Sequence, residues 1–186
     1  MEKSPWDLTE RMTDQTVNQD LQKIVHGYRK LCGYCDLVWN KVKQSFPEEI
    51  CCRKGCSACC ELQSVNQLEA HLIRTHLQSL SLKVNNIYPN ENRCPFLLEH
   101  SCSIYEARPL ICRTHGLVLN SRESSLPLPS CPDNFKTFSI PELPGDCILD
   151  TDIVTGNLMR LNLAFCICTQ KNPEERISLR HIIEAT

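Results

Sequence analysis

The first feature of the sequence that could carry chemistry is a dense run of cysteines. The stretch EEICCRKGCSACCELQ, residues 48–63, holds five cysteines within ten positions. Cys52, Cys56 and Cys59 follow the spacing Cys-x3-Cys-x2-Cys, and Cys60 comes directly after them. Thiolates that converge to about 2.3 Å from a metal atom bind zinc or hold iron–sulfur clusters. The spacing makes these four cysteines candidate metal ligands and leaves Cys51 unassigned.

Four more cysteines stand singly further along the chain, in CP, SC, CR and CP steps typical of turns. Free backbone N–H groups in turns can hydrogen-bond a sulfur and orient it. These cysteines are Cys94, Cys102, Cys112 and Cys131. With the first four they supply eight thiolates, enough for two four-sulfur sites or for one cluster with other ligands to spare. The Cβ atoms of adjacent Cys59 and Cys60 should diverge, which favours a division between sites or a structural role for one of the two.

Composition limits the classes of protein to consider. Fourteen cysteines are many for a reducing compartment, yet the N-terminus MEKSPWDLTERMTDQ lacks the apolar core of a signal peptide, which predicts a cytoplasmic protein. Because cytosolic thiols are kept reduced, clustered cysteines there more often hold metal or do redox chemistry than form disulfides. A net charge of −2 argues against a nucleic-acid binder, and no apolar run is long enough for a membrane span. We expect the protein to bind a protein partner of unknown identity and to bind neither nucleic acid nor membrane.

The elements that must position the cysteines are predicted to be mainly helical. Apolar spacings of three and four favour one long helix or two short ones over residues 6–45, ended by Pro47. Ser64 should cap a helix over residues 65–80. Asp150 or Thr151 should cap a further helix, which Pro173 ends. Residues 94–105 should form a hairpin, and residues 109–116 should form a short helix that begins with a proline and ends at Gly116. Residues 120–144 should be irregular, and a last short helix should start at Ser178. The side chains expected to face inward are Val17, Leu21, Ile24, Tyr28, Leu31, Cys35, Val38, Val42, Leu68, Leu72, Leu77, Ile153, Leu158, Leu161 and Phe165.

These elements indicate a mainly α, small helical domain, with cysteine-rich loops and a short β-hairpin organised around a metal site. We expect three parts. Residues 1–47 should be an N-terminal amphipathic helical segment, residues 48–135 the cysteine-cluster metal-binding domain, and residues 136–186 a C-terminal helical segment that packs on it.

The ordered set of cysteine motifs resembles a known family. CCRKGCSACCELQ, followed by CPFLLEHSCSIYEARPLICRTHGL, is similar to the CxxCxxCC, or YkgJ-like, cysteine-cluster family, described as zinc- or iron-chelating. SCPDNF at Cys131 is similar to a further cysteine of some members, and the resemblance covers about residues 51–135. It implies metal or iron–sulfur binding, and a similar domain in a flagellin lysine methylase implies a link to S-adenosylmethionine chemistry. This chain departs from the family name by having three residues between Cys52 and Cys56.

The identity of the metal stays open between two choices. A closed four-thiolate zinc site is the simpler structural arrangement. Two features favour an iron–sulfur cluster, such as 4Fe-4S. The cysteines do not form two paired CxxC knuckles, and the Cys-Pro steps at Cys94 and Cys131 resemble those that end ferredoxin cluster runs. The radical S-adenosylmethionine class shares the Cys-x3-Cys-x2-Cys spacing. It is disfavoured because Ala58 replaces the usual aromatic residue and the barrel pattern is missing.

Ionisable neighbours of the cysteines could assist the site. Basic side chains beside ligands could offset thiolate charge or lower thiol pKa values, although solvated surface positions are an equal alternative. These residues are Arg53, Lys54, Arg108 and Arg113. His115 could be a ligand or a proton carrier, or could simply hydrogen-bond locally. Tyr105 is expected to pack beside the site.

The remaining cysteines are expected to be core residues. Cys32 and Cys35 form a CxxC on a predicted helix, where positions three apart share one face, so both can be buried as small apolar side chains. Cys147, Cys166 and Cys168 lie in the apolar C-terminal region and receive the same interpretation.

Two classes of function remain at this stage. In the first, the protein is a metal or iron–sulfur binding module for electron transfer, metal handling or accessory assembly. In the second, it is a metal-dependent enzyme, an oxidoreductase or an S-adenosylmethionine-linked modifying enzyme, with an open metal position assisted by Arg113 or His115. No phosphate loop, catalytic triad or dinucleotide fingerprint is present, so the binding module is favoured.

Overall fold

The structure, a computed structural model, describes residues 14–53, 55–80 and 92–185 and confirms the mainly α class. The α-helices of this part are α1 (Asp14–Ser45), α2 (Gln67–Leu80), α3 (Leu110–Thr114), α4 (Thr151–Thr169) and α5 (Leu179–Glu184). Its strands are β1 (Ser64–Val65), β2 (Leu97–Leu98), β3 (Ser101–Cys102), β4 (Val118–Asn120), β5 (Leu128–Pro129), β6 (Ile148–Asp150) and β7 (Ile177–Ser178). The strands form two antiparallel pairs, β1–β7 and β2–β3, and a three-stranded sheet in the order β5-β4-β6.

Helix α1 follows the predicted apolar periodicity. It is continuous to Ser45, and a 3-10 turn begins at Pro47, whose ring cannot continue an α-helix. The predicted inward face is buried from Ile24 to Val42, while Val17 and Leu21 are half-buried. The part of the predicted helix before residue 14 lies outside the described residues.

The start of helix α2 differs from the prediction. Ser64 and Val65 pair with β7 instead of opening the helix, and the side chain of Asn66 supplies the cap, since its Oδ1 accepts the N–H of Glu69 at 2.9 Å. Asparagine and serine are both good caps, and the β-branched Val65 favours an extended conformation, so the cap moves two residues along. Leu68 and Leu77 are buried as predicted.

Helix α4 confirms the predicted cap and corrects one inward residue. The Oδ1 of Asp150 accepts the N–H of Ile153 at 3.0 Å, and the helix ends at Thr169, before Pro173. Phe165 is buried as expected, but the prediction for Ile153 is wrong because its side chain is 54% exposed and Val154 is the buried residue of that turn. Exposed Met159 and Ile167 show why the pattern misleads here, since α4 carries apolar residues on several faces.

The short β elements also follow the prediction closely. In the hairpin, Leu97 lies opposite Cys102, and the two turn residues Glu99 and His100 both have positive φ angles, as a tight two-residue hairpin turn requires. Residues 120–144 are largely irregular, apart from β5, the end of β4 and a 3-10 turn. Ser178 precedes the short helix α5 as expected.

Two hydrophobic cores lie side by side. The first joins α1 and α4 with the three-stranded sheet and takes residues from all three predicted parts, for example Ile24, Leu110 and Phe165. The second joins α2, α5 and the hairpin. As expected, further cysteines belong to the first core, namely Cys32, Cys35, Cys147 and Cys166, with Cys168 half-buried against it. The boundaries at residues 47 and 135 stay predictions.

Candidate metal centre

The cysteine-rich loop, residues 51–60, is a chain of tight turns. The N–H of Cys56 donates to the carbonyl of Arg53 at 2.9 Å, and the N–H of Cys60 donates to that of Ser57 at 3.0 Å. Gly55, at φ +90°, takes a left-handed conformation that a side chain would disfavour. These turns compress four predicted ligands into a short length of backbone.

A backbone hydrogen bond brings this loop against the hairpin. The N–H of Cys94 donates to the carbonyl of Cys60 at 2.9 Å, and the N–H of Leu97 donates back to the carbonyl of Cys94 at 3.0 Å. Because Cys102 lies opposite Leu97 in the hairpin, three predicted ligands meet here, one from the loop and two from the hairpin region.

Cys112 joins these cysteines from helix α3. The buried carboxylate of Glu69 holds the first residue of that helix, Leu110. Glu69 Oε1 accepts the N–H of Leu110 at 2.9 Å and the hydroxyl of Tyr28 at 3.1 Å, while Oε2 accepts the side-chain amide of Asn66 at 3.0 Å. Sequence reasoning missed Glu69. The available signal was an acidic residue on the buried face of α2, one helical turn before Ile73.

We call Cys60, Cys94, Cys102 and Cys112 the hairpin group. The charges of its members influence one another's thiol pKa values. Cys112 is exposed as a residue, but neighbouring protein atoms desolvate its thiol and raise its pKa to about 12, and the charges of Cys94 and Cys102 add to the rise. The pKa of Cys60 is lowered chiefly by a hydrogen bond from the Cys59 thiol, against burial and the charges of the other three members. These four sulfurs therefore lie within range of each other's charge.

Backbone N–H groups point at two sulfurs of the hairpin group. Burial raises the pKa values of Cys94 and Cys102, and hydrogen bonds from the N–H groups of Phe96 and Ile104 oppose the rise. In both cases the donor lies two residues after the cysteine. Such bonds stabilise thiolates and orient them as ligands.

Cys52, Cys56, Cys59 and Cys131, which we call the loop group, are linked through Cys52. Burial raises the pKa of Cys52 to about 11, a hydrogen bond with Asn134 opposes the rise, and the charges of the other three members add to it. Residues 131–134 form a turn in which the N–H of Asn134 donates to the carbonyl of Cys131 at 3.2 Å. This turn brings Cys131 beside the beginning of the cysteine-rich loop.

Cys59 lies where the two groups meet. Its pKa is raised by the hydrogen bond with Cys60, and then by burial, while its charge acts on both Cys52 and Cys112. The Cβ atoms of Cys59 and Cys60 were expected to diverge, but the two sulfurs are still close enough to hydrogen-bond each other.

Within residues 14–53, 55–80 and 92–185, no three His, Cys, Asp or Glu side chains are close enough together to hold one metal ion.

The basic residues near the site behave differently from the expectation. Arg108 and Arg113 both bind Asp36 on α1, at 3.2 Å and 2.7 Å. Burial raises the pKa of Cys102 and the charge of Arg108 opposes it, so Arg108 still acts on a predicted ligand. Arg113 opposes the rise of the pKa of Cys32 instead. Arg113 thus links α3 to α1 through its ion pair with Asp36.

Arg93 is the basic residue that sequence reasoning missed, although it directly precedes Cys94. Its guanidinium donates to the carbonyls of Ser57 and Ala58 and lies 3.5 Å from a carboxylate oxygen of Glu61. Its charge opposes the rise of the pKa of Cys94 that burial causes. Arg93 thereby fastens the cysteine-rich loop to the start of the hairpin.

The other predicted neighbours have modest contacts. Arg53 is exposed, and Lys54 lies outside the described residues. His115 is half-buried at the end of α3, where its backbone N–H donates to Ile111. The ring of Tyr105 is exposed and stacks under the guanidinium of Arg108 at 4.0 Å.

Comparison with known proteins finds a family model that matches the cysteine-rich part of the chain. No helix among the described residues has the length and apolar character needed to cross a membrane. No curated protein and no solved structure matches the chain. Residues 51–132 match the family model CxxCxxCC, described as a putative zinc- or iron-chelating domain, and this segment contains all eight predicted ligands. This match confirms the resemblance drawn from the cysteine motifs of the segment.

Proposed function

We propose that the eight cysteines of residues 51–132 hold metal in two four-thiolate sites, one formed by the hairpin group and one by the loop group. The observation that carries this proposal is the meeting of the cysteine-rich loop and the hairpin through the Cys60–Cys94 hydrogen bond and the Leu97–Cys102 register. The charges of Cys94 and Cys102 act on both Cys60 and Cys112, and those of Cys56 and Cys131 act on Cys52, which supports the division; Cys59, whose charge acts on both Cys52 and Cys112, lies at its boundary. Burial raises the pKa values of Cys52 and Cys112, so metal binding would release protons from these thiols.

We favour iron–sulfur clusters, as 4Fe-4S, over zinc. The Cys-Pro steps at Cys94 and Cys131 support this choice, as does the mixture of one dense loop with single cysteines. Hydrogen bonds from N–H groups to cluster-bound sulfurs tune reduction potential, and Cys94 and Cys102 each receive one. The protein would then act as an electron-transfer, metal-handling or accessory module in the cytoplasm.

A binding module is favoured over an enzyme for two reasons. If all eight thiolates are ligands, neither site keeps an open metal position for a substrate. Arg113, the basic residue that could assist a reaction, has its guanidinium engaged by Asp36 and by the carbonyl of Glu106 at 2.8 Å.

The first test compares the metal content of three cysteine variants. Cys112→Ala removes a ligand of the hairpin group, Cys56→Ala removes one of the loop group, and Cys35→Ala is the control because Cys35 is fully buried in the first core. We expect each ligand variant to lose about half of the bound metal together with soluble yield, since metal binding and folding are coupled. The control should keep its full metal content.

The outcomes separate the parts of the proposal. If either ligand variant loses all of the metal, the two groups form one centre and the division is wrong. If Cys35→Ala loses metal while Cys112→Ala keeps it, the assignment of ligands is wrong.

A further inference from the structure

We propose that Asn134 is a positioning residue that holds the Cys52 thiolate ready for metal through a side-chain N–H···S hydrogen bond. The inference rests on the proposed function, because it concerns the loop group as a metal site. Asn134 is 1% exposed, and its Nδ2 lies 3.5 Å from the Sγ of Cys52.

The orientation of the amide follows from its other partners. Oδ1 accepts the backbone N–H of Cys51 at 2.9 Å, and Nδ2 donates to the carbonyl of Gly116 at 2.7 Å. A backbone N–H can only donate and a carbonyl can only accept, so the reversed amide would lose both bonds. The end that faces the sulfur at the shorter distance is therefore the donor.

The amide presents its donor end to Cys52. Nδ2 lies 3.5 Å from the sulfur, and Oδ1 lies 3.9 Å from it. A metal-bound thiolate can only accept a hydrogen bond, and a bond to a charged acceptor is stronger than one between neutral groups. The nearer group of the amide is therefore the one that a thiolate ligand needs.

The backbone around Asn134 is fixed on both sides. Its own N–H donates to the carbonyl of Cys131, and the next N–H, that of Phe135, donates to the carbonyl of Glu49 at 2.9 Å. Phe135 is buried with φ +53°, an unusual conformation for a bulky residue, and its ring packs edge-on against Phe46. The amide therefore links Cys52 and Cys131, two members of the loop group, through a rigid turn.

Asn162 offers a matched control in the same chain. It is also buried, at 6% exposed, with Oδ1 accepting the N–H of Leu68 and Nδ2 donating to the carbonyl of Pro173, both at 3.1 Å. Replacing either asparagine by aspartate removes a buried donor and adds a charge, but only Asn134 faces a predicted ligand. Damage to folding alone should therefore be similar in the two variants.

The experiment titrates Co²⁺ into metal-free wild-type protein, Asn134→Asp and Asn162→Asp, and records the sulfur-to-cobalt charge-transfer bands. We expect Asn134→Asp to weaken Co²⁺ binding at one of the two sites by about 10- to 100-fold, the usual effect of losing a partner of a ligand. Its charge-transfer bands should also shift, because the thiolate loses a donor. Asn162→Asp should match the wild-type affinity and spectrum. If Asn134→Asp also matches the wild type, the inference is wrong.

A second measurement needs no variant and covers the case in which Asn134→Asp does not fold. In wild-type protein loaded with NMR-active cadmium, spin coupling across the N–H···S–Cd link should connect the metal to a side-chain amide proton of Asn134. Cadmium bound by thiolates without this coupling would overturn the inference but leave the metal site standing. A wild-type chain that binds neither Co²⁺ nor cadmium would instead overturn the proposed function.

Discussion

Glu69 is a carboxylate enclosed between helices α1, α2 and α3, and it is 5% exposed. Burial raises its pKa above the ordinary value, while the hydrogen bonds from the Leu110 N–H and the Tyr28 hydroxyl oppose the rise. The folded chain therefore binds the proton of this group more tightly than the unfolded chain does. This contribution to stability is complete below the unfolded pKa and is lost as the pH rises through the folded pKa.

Glu69→Gln should remove that pH dependence. We expect the free energy of unfolding of the wild type, minus that of Glu69→Gln, to fall as the pH rises from about 4 towards 7. Urea unfolding at several pH values measures this difference, with Glu123→Gln as a control for net charge at an exposed position. A difference that rises with pH would contradict the direction of the shift assigned to Glu69.

The spacing of cysteines allowed the candidate ligands to be chosen from the sequence, whereas their supporting side chains could not be chosen. Asn134 lies 82 residues from Cys52, and Glu69 lies 41 residues from Leu110, so no local pattern links either pair. Arg113 illustrates the opposite error. Its position beside Cys112 suggested that it would offset thiolate charge, but its guanidinium pairs with Asp36 on a distant helix.

At the scale of elements, the connection between α3 and β4 depends on Gly116. Its φ is +93°, and a Cβ atom here would lie 2.7 Å from Cζ2 of Trp39 and 2.9 Å from the Sγ of Cys52. The glycine therefore brings the backbone close to α1 and to a predicted ligand. The sequence indicated Gly116 as a helix end but could not indicate this close approach.

Gly116→Ala should destabilise the protein by about 1–3 kcal/mol, because a left-handed residue acquires a side chain that also meets the Trp39 ring. Gly156→Ala is the matched comparison, since Gly156 lies within α4 and a Cβ there meets nothing within 4 Å. That change should stabilise the protein by about 0.5–1 kcal/mol through helix propensity. Thermal unfolding of both variants measures the two effects, and equal effects of the same sign would contradict this interpretation of the α3–β4 connection.

Helix bounds were predictable where a cap or a proline marked them, as at Asp150 and Pro47. They were less predictable where two good caps competed, as at Ser64 and Asn66, because pairing of β1 with β7 decided the outcome. Periodicity also could not choose the buried side of α4, a helix with apolar residues on several faces.

At the scale of the whole molecule, members of the two cysteine groups pack against both hydrophobic cores. Cys52 packs against the first core, and Cys94 and Cys102 pack against the second. Metal bound at the two proposed sites would therefore help to hold the two cores together, since metal binding and folding are coupled. The sequence indicated a mainly α domain but not this division, because a helical pattern does not specify which helices share a core.

The most direct test of the metal centre is the iron, zinc and acid-labile sulfide content of protein purified without oxygen, with the absorption spectrum of the same sample. We expect iron and sulfide in comparable amounts and a broad absorption band near about 400 nm, as thiolate-bound iron–sulfur clusters give. Stoichiometric zinc in a colourless protein would keep the thiolate sites but contradict the choice of iron–sulfur. A folded protein with neither iron nor zinc would contradict the proposal that the eight cysteines hold metal.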